Sequence, residues 1–166
     1  MIKQHIRYNK QKEWIHLKIL VDADACPVKE NILHIANKLH IPVVLVADTS
    51  HILNITQENV TVVTVDKASD SADFAIANRA NMGDIAVTSD YGLASMLLAK
   101  CCVTVHPNGF SYTDDNMDRL LFERHISKEA RKKHRKTPHI KKRTKEDNER
   151  FEKYFYSICL KQLQLS

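Results

Sequence analysis

The chain has 166 residues, a mass of 19.1 kDa and a formal net charge of +5. This length suits one compact domain, and a composition with 43% hydrophobic and 27% charged residues excludes a wholly disordered chain. No apolar run approaches the roughly 18 to 20 residues that a membrane span needs, and four irregularly spaced cysteines give neither a disulfide framework nor a zinc site. We therefore expect a soluble, cytoplasmic protein with reduced thiols.

Short apolar runs alternate with segments of helical periodicity after a polar N-terminal extension over residues 1–16. The apolar runs predict five strands, over 17–23, 42–48, 60–66, 84–90 and 101–106. Between the strands, apolar residues at helical spacing predict helices over 27–41, 70–81 and 91–100. Pro27 suits the first turn of the earliest of these helices.

Beyond Gly109 the sequence predicts helices. Thr113 suits the N-cap of a helix over 114–125, a basic helix follows over 127–136, and an amphipathic helix over 145–163 closes the chain. The predicted apolar stripe of the closing helix consists of Phe151, Phe155, Ile158 and Leu163.

This alternation predicts an α/β fold whose strands form parallel, right-handed βαβ units. Because the strands are apolar on both faces, helices are expected to cover both sides of the sheet. We therefore predict a three-layer sandwich with a central, mostly parallel five-stranded sheet, formed by a single domain over residues 17–166. The chain has three glycines, too few for a glycine-rich phosphate loop, which excludes the Walker and Rossmann fingerprints.

Charge is divided unevenly along the chain. Residues 1–118 carry 10 Lys and Arg against 14 Asp and Glu, whereas residues 119–150, the basic arm, carry 13 against 5. An acidic body favours a metal or polar site, and a basic segment favours contact with a polyanion. The charge pattern therefore predicts two kinds of partner.

Acidic residues collect at the carboxyl ends of the predicted strands, where a parallel sheet binds its ligands. They are Asp22 and Asp24 after the first strand, Asp48, Asp66 and Asp90 after later strands, and Asp70 and Asp73 at the start of a helix; His106 closes the fifth strand. Carboxylates that approach one another repel and raise each other's pKa unless a cation lies between them. A ligand set of oxygens alone favours Mg²⁺ or Mn²⁺ over zinc. The pattern predicts a divalent-metal site.

Most of these aspartates also have a purely structural interpretation. Asp90 precedes a helix as an N-cap would, and Asp70 and Asp73 have the spacing of a capping pair. Asp48 and Asp66 are ordinary residues for the end of a strand. Asp22 and Asp24 differ, because two carboxylates at positions i and i+2 share one face of a strand and no turn requires both. The adjacent Cys26 is expected to pack under this loop, with a reactive thiol as the alternative.

Three motifs closely resemble the YaiI/YqxD family of uncharacterised bacterial proteins: VDADACP over 21–27, DSADFAI over 70–76 and GDIAVTSDYGLA over 83–94. The segments HPNG over 106–109 and KEDNERF over 145–151 are also similar to that family. The resemblance implies a PIN-like domain, in which a parallel sheet lies between helices and an acidic cluster binds Mg²⁺ or Mn²⁺ for phosphodiester cleavage. It implies Asp22, Asp73 and Asp90 as metal-binding and catalytic residues, with Asp24 as the fourth member.

Three functions remain open on the sequence. The leading hypothesis is metal-dependent hydrolysis of nucleic-acid phosphodiesters, with RNA favoured over DNA by analogy to the family. The second is a phosphatase of the haloacid-dehalogenase type with Asp22 as nucleophile, although Gly83-Asp84 precedes a strand here instead of following one. The third is a non-catalytic RNA-binding protein. Its phosphate contacts would come from Arg131, Lys132, Lys133, Arg135, Lys136, Lys141, Lys142 and Arg143.

Overall fold

The structure, a computed structural model, describes residues 17–24, 26–49, 55–67, 70–133 and 142–165. The extension over residues 1–16 lies outside the described residues. Within the described ranges the elements follow in the order β1 (Ile19–Asp22), α1 (Lys29–Leu39), β2 (Val43–Asp48), β3 (Val60–Val65), α2 (Ser71–Arg79), β4 (Ile85–Val87), α3 (Tyr91–Leu98), β5 (Val103–His106), β6 (Phe110–Ser111), α4 (Asp114–Lys133) and α5 (Lys145–Leu165).

The sheet has the strand order β3-β2-β1-β4-β5-β6. All neighbouring strands are parallel except β5 and β6, which pair antiparallel through Val105–Ser111 and His106–Phe110. The prediction of a mostly parallel α/β sheet is confirmed, but the predicted count of five strands is wrong because β6 adds a sixth. That strand has two residues, too few for a period-2 pattern to be recognised in the sequence.

Helices cover both faces of the sheet, which makes the fold a three-layer sandwich. Ile19 and Val21 point to one face, where they pack in a buried cluster with residues of α1 and α5. Leu20 points to the other face, into a cluster that α2 and α3 complete. The alternation of adjacent residues between two apolar layers explains why the strands are hydrophobic throughout.

The helix after Thr113 is longer than predicted. α4 runs without interruption from Asp114 to Lys133, so the two separate helices predicted over 114–125 and 127–136 are one helix over the residues described. Ser127 alone does not break it, since no proline or glycine interrupts the segment. The predicted N-cap is confirmed: the Thr113 hydroxyl accepts from the Asn116 N–H at 3.3 Å, and the Asn116 side chain accepts from the Thr113 N–H at 3.0 Å.

The closing helix α5 buries one side against the sheet. Phe151, Phe155 and Cys159 are completely buried, and the two phenyl rings stack with centroids 5.2 Å apart. The prediction that Leu163 belongs to this stripe is wrong, because its side chain is 40% exposed. Gln162 is buried instead, and its side-chain amide donates to the Gly83 carbonyl at 2.9 Å.

An ion pair stabilises the end of the sheet where the strands begin. Asp84 is 2% exposed and accepts hydrogen bonds from the Lys18 ammonium at 2.6 Å, the Lys18 N–H at 3.1 Å and the Asn81 N–H at 2.8 Å. These donors lie on the segments that lead into β1 and β4, so one carboxylate holds the two central strands together. This structural role accounts for a buried acidic residue at that end of the sheet.

We expect Asp84→Ala to lower the free energy of unfolding by about 2–4 kcal/mol, because it leaves two backbone N–H groups and one ammonium without their acceptor. Urea denaturation followed by circular dichroism measures this loss. The matched control is Glu58→Gln, which removes one negative charge from an exposed turn before β3. Equal stabilities of the two variants would contradict the structural role of Asp84.

Candidate functional site

The candidate site lies at the carboxyl ends of the central strands. Strand order reverses between β1 and β4, because β2 and β3 extend the sheet on one side while β5 and β6 extend it on the other. A crevice at such a reversal is where open α/β sheets bind ligands. Asp22 is the last residue of β1, and Asp90 begins α3 three residues after β4 ends.

One strand and two helices position the three aspartates that the family resemblance implies as metal ligands. Asp22 has the same parity as Leu20, which packs on the face covered by α2 and α3. Asp73 lies in the first turn of α2, and Asp90 lies at the N-cap of α3. The three aspartates therefore lie at the same edge of the sheet, and the charge of Asp90 acts on Asp73.

Five aspartates line a pocket of about 280 Å³ at this edge, which we call the acidic pocket. They are Asp24, Asp48, Asp66, Asp70 and Asp73, and Lys67 lies among them. Of the four residues predicted to bind metal, Asp24 and Asp73 belong to this lining, whereas Asp22 and Asp90 do not. The structure thus gathers more carboxylates than the family resemblance implies, with Asp48, Asp66 and Asp70 among them.

The electrostatics of the site converge on Asp73. Partial burial and the negative charges of Asp90 and Asp70 raise the pKa of the Asp73 carboxyl above its ordinary value of 3.8. Asp90 therefore acts on Asp73 from outside the pocket lining, and Asp70 from within it. A bound cation would relieve the repulsion among these three carboxylates.

Asp24 and Asp90 each accept a hydrogen bond from the backbone. Asp24 Oδ2 accepts from the Asp48 N–H at 2.7 Å, which ties the loop after β1 to the end of β2. Asp90 Oδ1 accepts from the Leu93 N–H at 2.9 Å, so the predicted N-cap geometry of Asp90 is confirmed. A Cβ on Gly92 would lie 3.0 Å from Asp90 Oδ1, so glycine at this position leaves room for the carboxylate.

Asp70 does not cap α2 through its side chain. It occupies the N-cap position with φ of 63° in the left-handed region, and its side chain makes no capping hydrogen bond. The Asp70 side chain therefore accepts no hydrogen bond that would support the capping-pair interpretation of Asp70 and Asp73. A non-glycine residue in the left-handed region is uncommon, and aspartate is one of the residue types that adopt it most readily.

The chemistry of the candidate ligands fits a hard divalent cation. Every candidate ligand is a carboxylate oxygen, the type that Mg²⁺ and Mn²⁺ select. Within the described ranges, no three acidic, histidine or cysteine side chains are placed so that together they would hold one ion. The acidic pocket and the repulsion at Asp73 are thus the observations that bear on cation binding.

The shifted pKa values of Cys26 and His106, two side chains near the carboxyl ends of the strands, keep both side chains uncharged at neutral pH. Burial raises the pKa of the Cys26 thiol to about 11, which favours the predicted packing role over a reactive thiolate. Burial and the charge of Arg143 lower the pKa of His106 to about 4, so its imidazole is neutral at neutral pH. His106 Nδ1 accepts from the Asn108 N–H at 2.9 Å.

An aromatic cluster beside Asp90 went unrecognised in the sequence. The ring of His106 stacks on Phe110 with centroids 4.6 Å apart, and Tyr112 contacts both of them and Tyr91 edge-on. The buried Tyr112 hydroxyl donates to the Thr88 carbonyl at 3.3 Å, which fixes the loop that leads to Asp90. Strand β6 brings Phe110 into the cluster, and the two residues of that strand gave no recognisable signal.

The structure describes only part of the predicted nucleic-acid contact. Arg135, Lys136 and Lys141 lie outside the described residues, as do the side chains of Arg131 and Lys133. Lys132 pairs with Glu129 at 2.8 Å, and Lys142 is exposed.

Arg143 has a structural role close to the site. Its guanidinium donates to the Pro107 carbonyl at 2.8 Å, to Asn148 Oδ1 at 2.5 Å and to the Asp147 carbonyl at 3.1 Å. Arg143 therefore links the turn after β5 to the start of α5.

No helix within the described ranges is long and apolar enough to cross a membrane. No solved structure matches the chain at a significant level.

The similarity to known sequences is extensive. The chain is 49% identical over 138 residues to a UPF0178 protein of Alkaliphilus oremlandii, an alignment that covers 83% of this chain and 88% of the relative. It is 51% identical over 137 residues to a UPF0178 protein of Ruminiclostridium cellulolyticum, with 82% and 88% covered, and 45% identical over 149 residues to one of Clostridium acetobutylicum, with 87% and 98% covered. The model of an uncharacterized family, YaiI/YqxD, matches residues 20–161. The resemblance carried by the aspartate motifs is confirmed: the chain belongs to the YaiI/YqxD family.

Proposed function

We propose that this protein is a divalent-metal-dependent nuclease that hydrolyses phosphodiester bonds in nucleic acid, with RNA as the substrate. One observation carries the proposal: five aspartates line the acidic pocket at the carboxyl ends of the strands, and partial burial together with the charges of Asp90 and Asp70 raises the pKa of Asp73. A fold does not retain mutually repelling carboxylates for stability. Cation binding is the function that makes use of them.

Asp22, Asp24, Asp73 and Asp90 are the residues that would hold Mg²⁺ or Mn²⁺. When bound, such an ion would lower the pKa of a water molecule and place a positive charge beside the phosphate under attack. The carboxylates would hold the ion and offset its charge, while Lys67 adds a positive charge to the acidic pocket. His106 is neutral and hydrogen-bonded through Nδ1, so this chemistry does not require it as a general base.

The other two hypotheses are weaker on this geometry. Asp84, the candidate second acidic motif of a phosphatase, is buried against Lys18 at the end of the sheet where β4 begins, away from Asp22. Pure RNA binding through the basic arm leaves the acidic pocket without a role, and Arg143 is already engaged in contacts with the turn after β5.

The proposal is tested by calorimetric titration with Mn²⁺ of the wild type, Asp22→Asn and Asp90→Asn. We expect the wild type to bind Mn²⁺ and each variant to bind it at least about tenfold more weakly. A residue that binds the ion directly contributes at least as much to its affinity as a residue that only hydrogen-bonds to such a ligand. Glu58→Gln, which removes an exposed charge at the opposite edge of the sheet, is the control and should bind as the wild type does.

A cleavage assay on mixed single-stranded RNA then separates the hypotheses. Metal-dependent cleavage that is lost in Asp90→Asn supports the nuclease, and unchanged cleavage in that variant contradicts the assignment. RNA binding that persists without metal and without turnover would select the non-catalytic alternative.

A further inference from the structure

The middle of α4 exposes apolar side chains that a monomer does not cover within the described residues. Phe122 is 65% exposed and Ile126 is 51% exposed. The two lie four residues apart, so they occupy neighbouring positions on one face of the helix. Exposed aromatic and aliphatic residues that adjoin one another mark interaction surfaces more often than isolated ones do.

The opposite face of α4 packs against the rest of the domain. Met117 and Leu120 are buried against Ala94 and Tyr112, and the Arg124 guanidinium lies 5.0 Å from the centre of the Tyr91 ring. At about 100° per residue, Leu120 and Arg124 lie roughly opposite Phe122 on the helix. The Phe122 face therefore points away from the body.

The two ends of α4 carry opposite charges, so the acidic end of one helix is complementary to the basic end of another. Its first turns contain Asp114, Asp115 and Asp118, and the exposed side chains of Lys128 and Lys132 lie in its last turns. Two such helices placed antiparallel bring the acidic end of each beside the basic end of the other. A parallel arrangement would place like charges together.

We propose that α4 pairs antiparallel with α4 of a second copy of this chain, across a two-fold axis at the level of Arg124. Phe122 and Ile126 are equidistant from Arg124 along the helix, so each Phe122 faces the Ile126 of the other copy. Arg119 and Glu129 are also equidistant from Arg124, and helical spacing places both on the Phe122 face. The same axis therefore aligns an apolar pair and an opposite-charge pair, as an isologous interface requires.

The charged side chains on this face are free to exchange partners. Arg119 pairs with Glu123 at 2.9 Å and Glu129 with Lys132 at 2.8 Å within the helix, and both pairs are largely exposed. Exposed pairs of this kind contribute little stability, so replacing them by contacts between helices costs little. A helix of 20 residues is about 30 Å long, which limits the buried area and predicts a weak, concentration-dependent dimer.

Sedimentation velocity of the full chain over a dilution series tests the pairing. The wild type should show a monomer–dimer equilibrium, and Phe122→Glu should raise its dissociation constant at least about tenfold, because the symmetric interface loses two copies of the residue. Phe74→Glu is the matched control, since Phe74 is a similarly exposed aromatic residue, 58% accessible, on α2. A wild type that stays monomeric throughout, or a dimer that Phe122→Glu leaves intact, overturns the proposal.

Charge reversal tests the register of the two helices. Arg119→Glu alone and Glu129→Arg alone should each weaken the dimer, because each places like charges opposite one another, and the double variant Arg119→Glu/Glu129→Arg should restore it. Thermal melting by circular dichroism verifies that all variants are folded. Failure of the double variant to recover the wild-type dissociation constant would overturn this register.

Discussion

Replacing Asp73 by asparagine is expected to make the fold more stable at neutral pH while reducing metal-dependent cleavage at least about 100-fold. The gain in stability follows from the raised pKa of Asp73, because partial burial and the neighbouring charges of Asp90 and Asp70 disfavour its charged carboxylate in the folded state. Asparagine has nearly the same shape and no charge. The loss of cleavage follows from the proposed role of Asp73 in holding the cation, since even outer partners of a metal site contribute 10- to 100-fold.

The pH dependence of this effect has a definite sign. A carboxyl whose pKa is raised by folding binds more protons in the folded state, so its charge lowers stability as the pH rises. The loss begins as the pH passes the ordinary pKa of an aspartate, 3.8, and is complete above the folded-state pKa of Asp73. The stability advantage of Asp73→Asn should therefore be present at neutral pH and vanish in acid.

Thermal melting with and without Mn²⁺ separates the two parts of this prediction. The cation should raise the melting temperature of the wild type more than that of Asp73→Asn, because it binds the folded state and relieves the repulsion only where the carboxylate is present. Glu58→Gln, an exposed charge far from the site, should follow the wild type in both conditions. Full cleavage by Asp73→Asn, or a lower melting temperature at neutral pH without metal, would refute the central role of Asp73.

The sheet and the edge that carries the aspartates could be predicted because both depend on strong local patterns. Runs such as Ile19–Asp22 and Val43–Asp48 are apolar on both faces, which is typical of strands between two helical layers. Once the strands are parallel, residues that follow them must share one edge. The placement of Asp22 and Asp90 at this edge of the sheet thus follows from the end of β1 and the start of α3.

The arrangement of side chains within that edge depends on loops that sequence patterns do not specify. Asp24 turns to the Asp48 N–H and lies with Asp48, Asp66 and Asp70 in the acidic pocket, although Asp48 and Asp66 resembled ordinary strand-end residues. Which carboxylates meet is decided by the path of the chain after each strand, and the left-handed conformation of Asp70 is one such turn.

Two errors show where helical periodicity reaches its limit. A uniform apolar stripe along α5 predicts that Leu163 is buried. Near the end of α5, however, the helix lies against the Gly83 carbonyl, and the side-chain amide of Gln162 donates a hydrogen bond to it. The last turn therefore buries an amide in place of a leucine, because burial there depends on what the helix meets. The two residues of β6 were equally invisible, since their strand forms only by pairing with His106 and Val105.

A large loss of stability is expected from Phe155→Ala. Phe155 is completely buried and stacks on Phe151 in the layer that joins α5 to the sheet. Removing its ring leaves a cavity that the rigid sheet and α1 cannot fill, which should lower the free energy of unfolding by about 3–5 kcal/mol. Urea denaturation measures the change, with an unchanged slope showing that the same surface unfolds.

The matched control for this loss is Leu163→Ala on the same helix. Both side chains are apolar and the sequence assigns both to one stripe, yet Leu163 is 40% exposed and its truncation should cost less than about 0.5 kcal/mol. Thiol labelling gives a second measure, because burial raises the pKa of the neighbouring Cys159 to about 12 and Phe155→Ala should expose that thiol to the reagent. If the two truncations cost the same, α5 would not pack through Phe155, and the layer that covers this face of the sheet would have to be assigned differently.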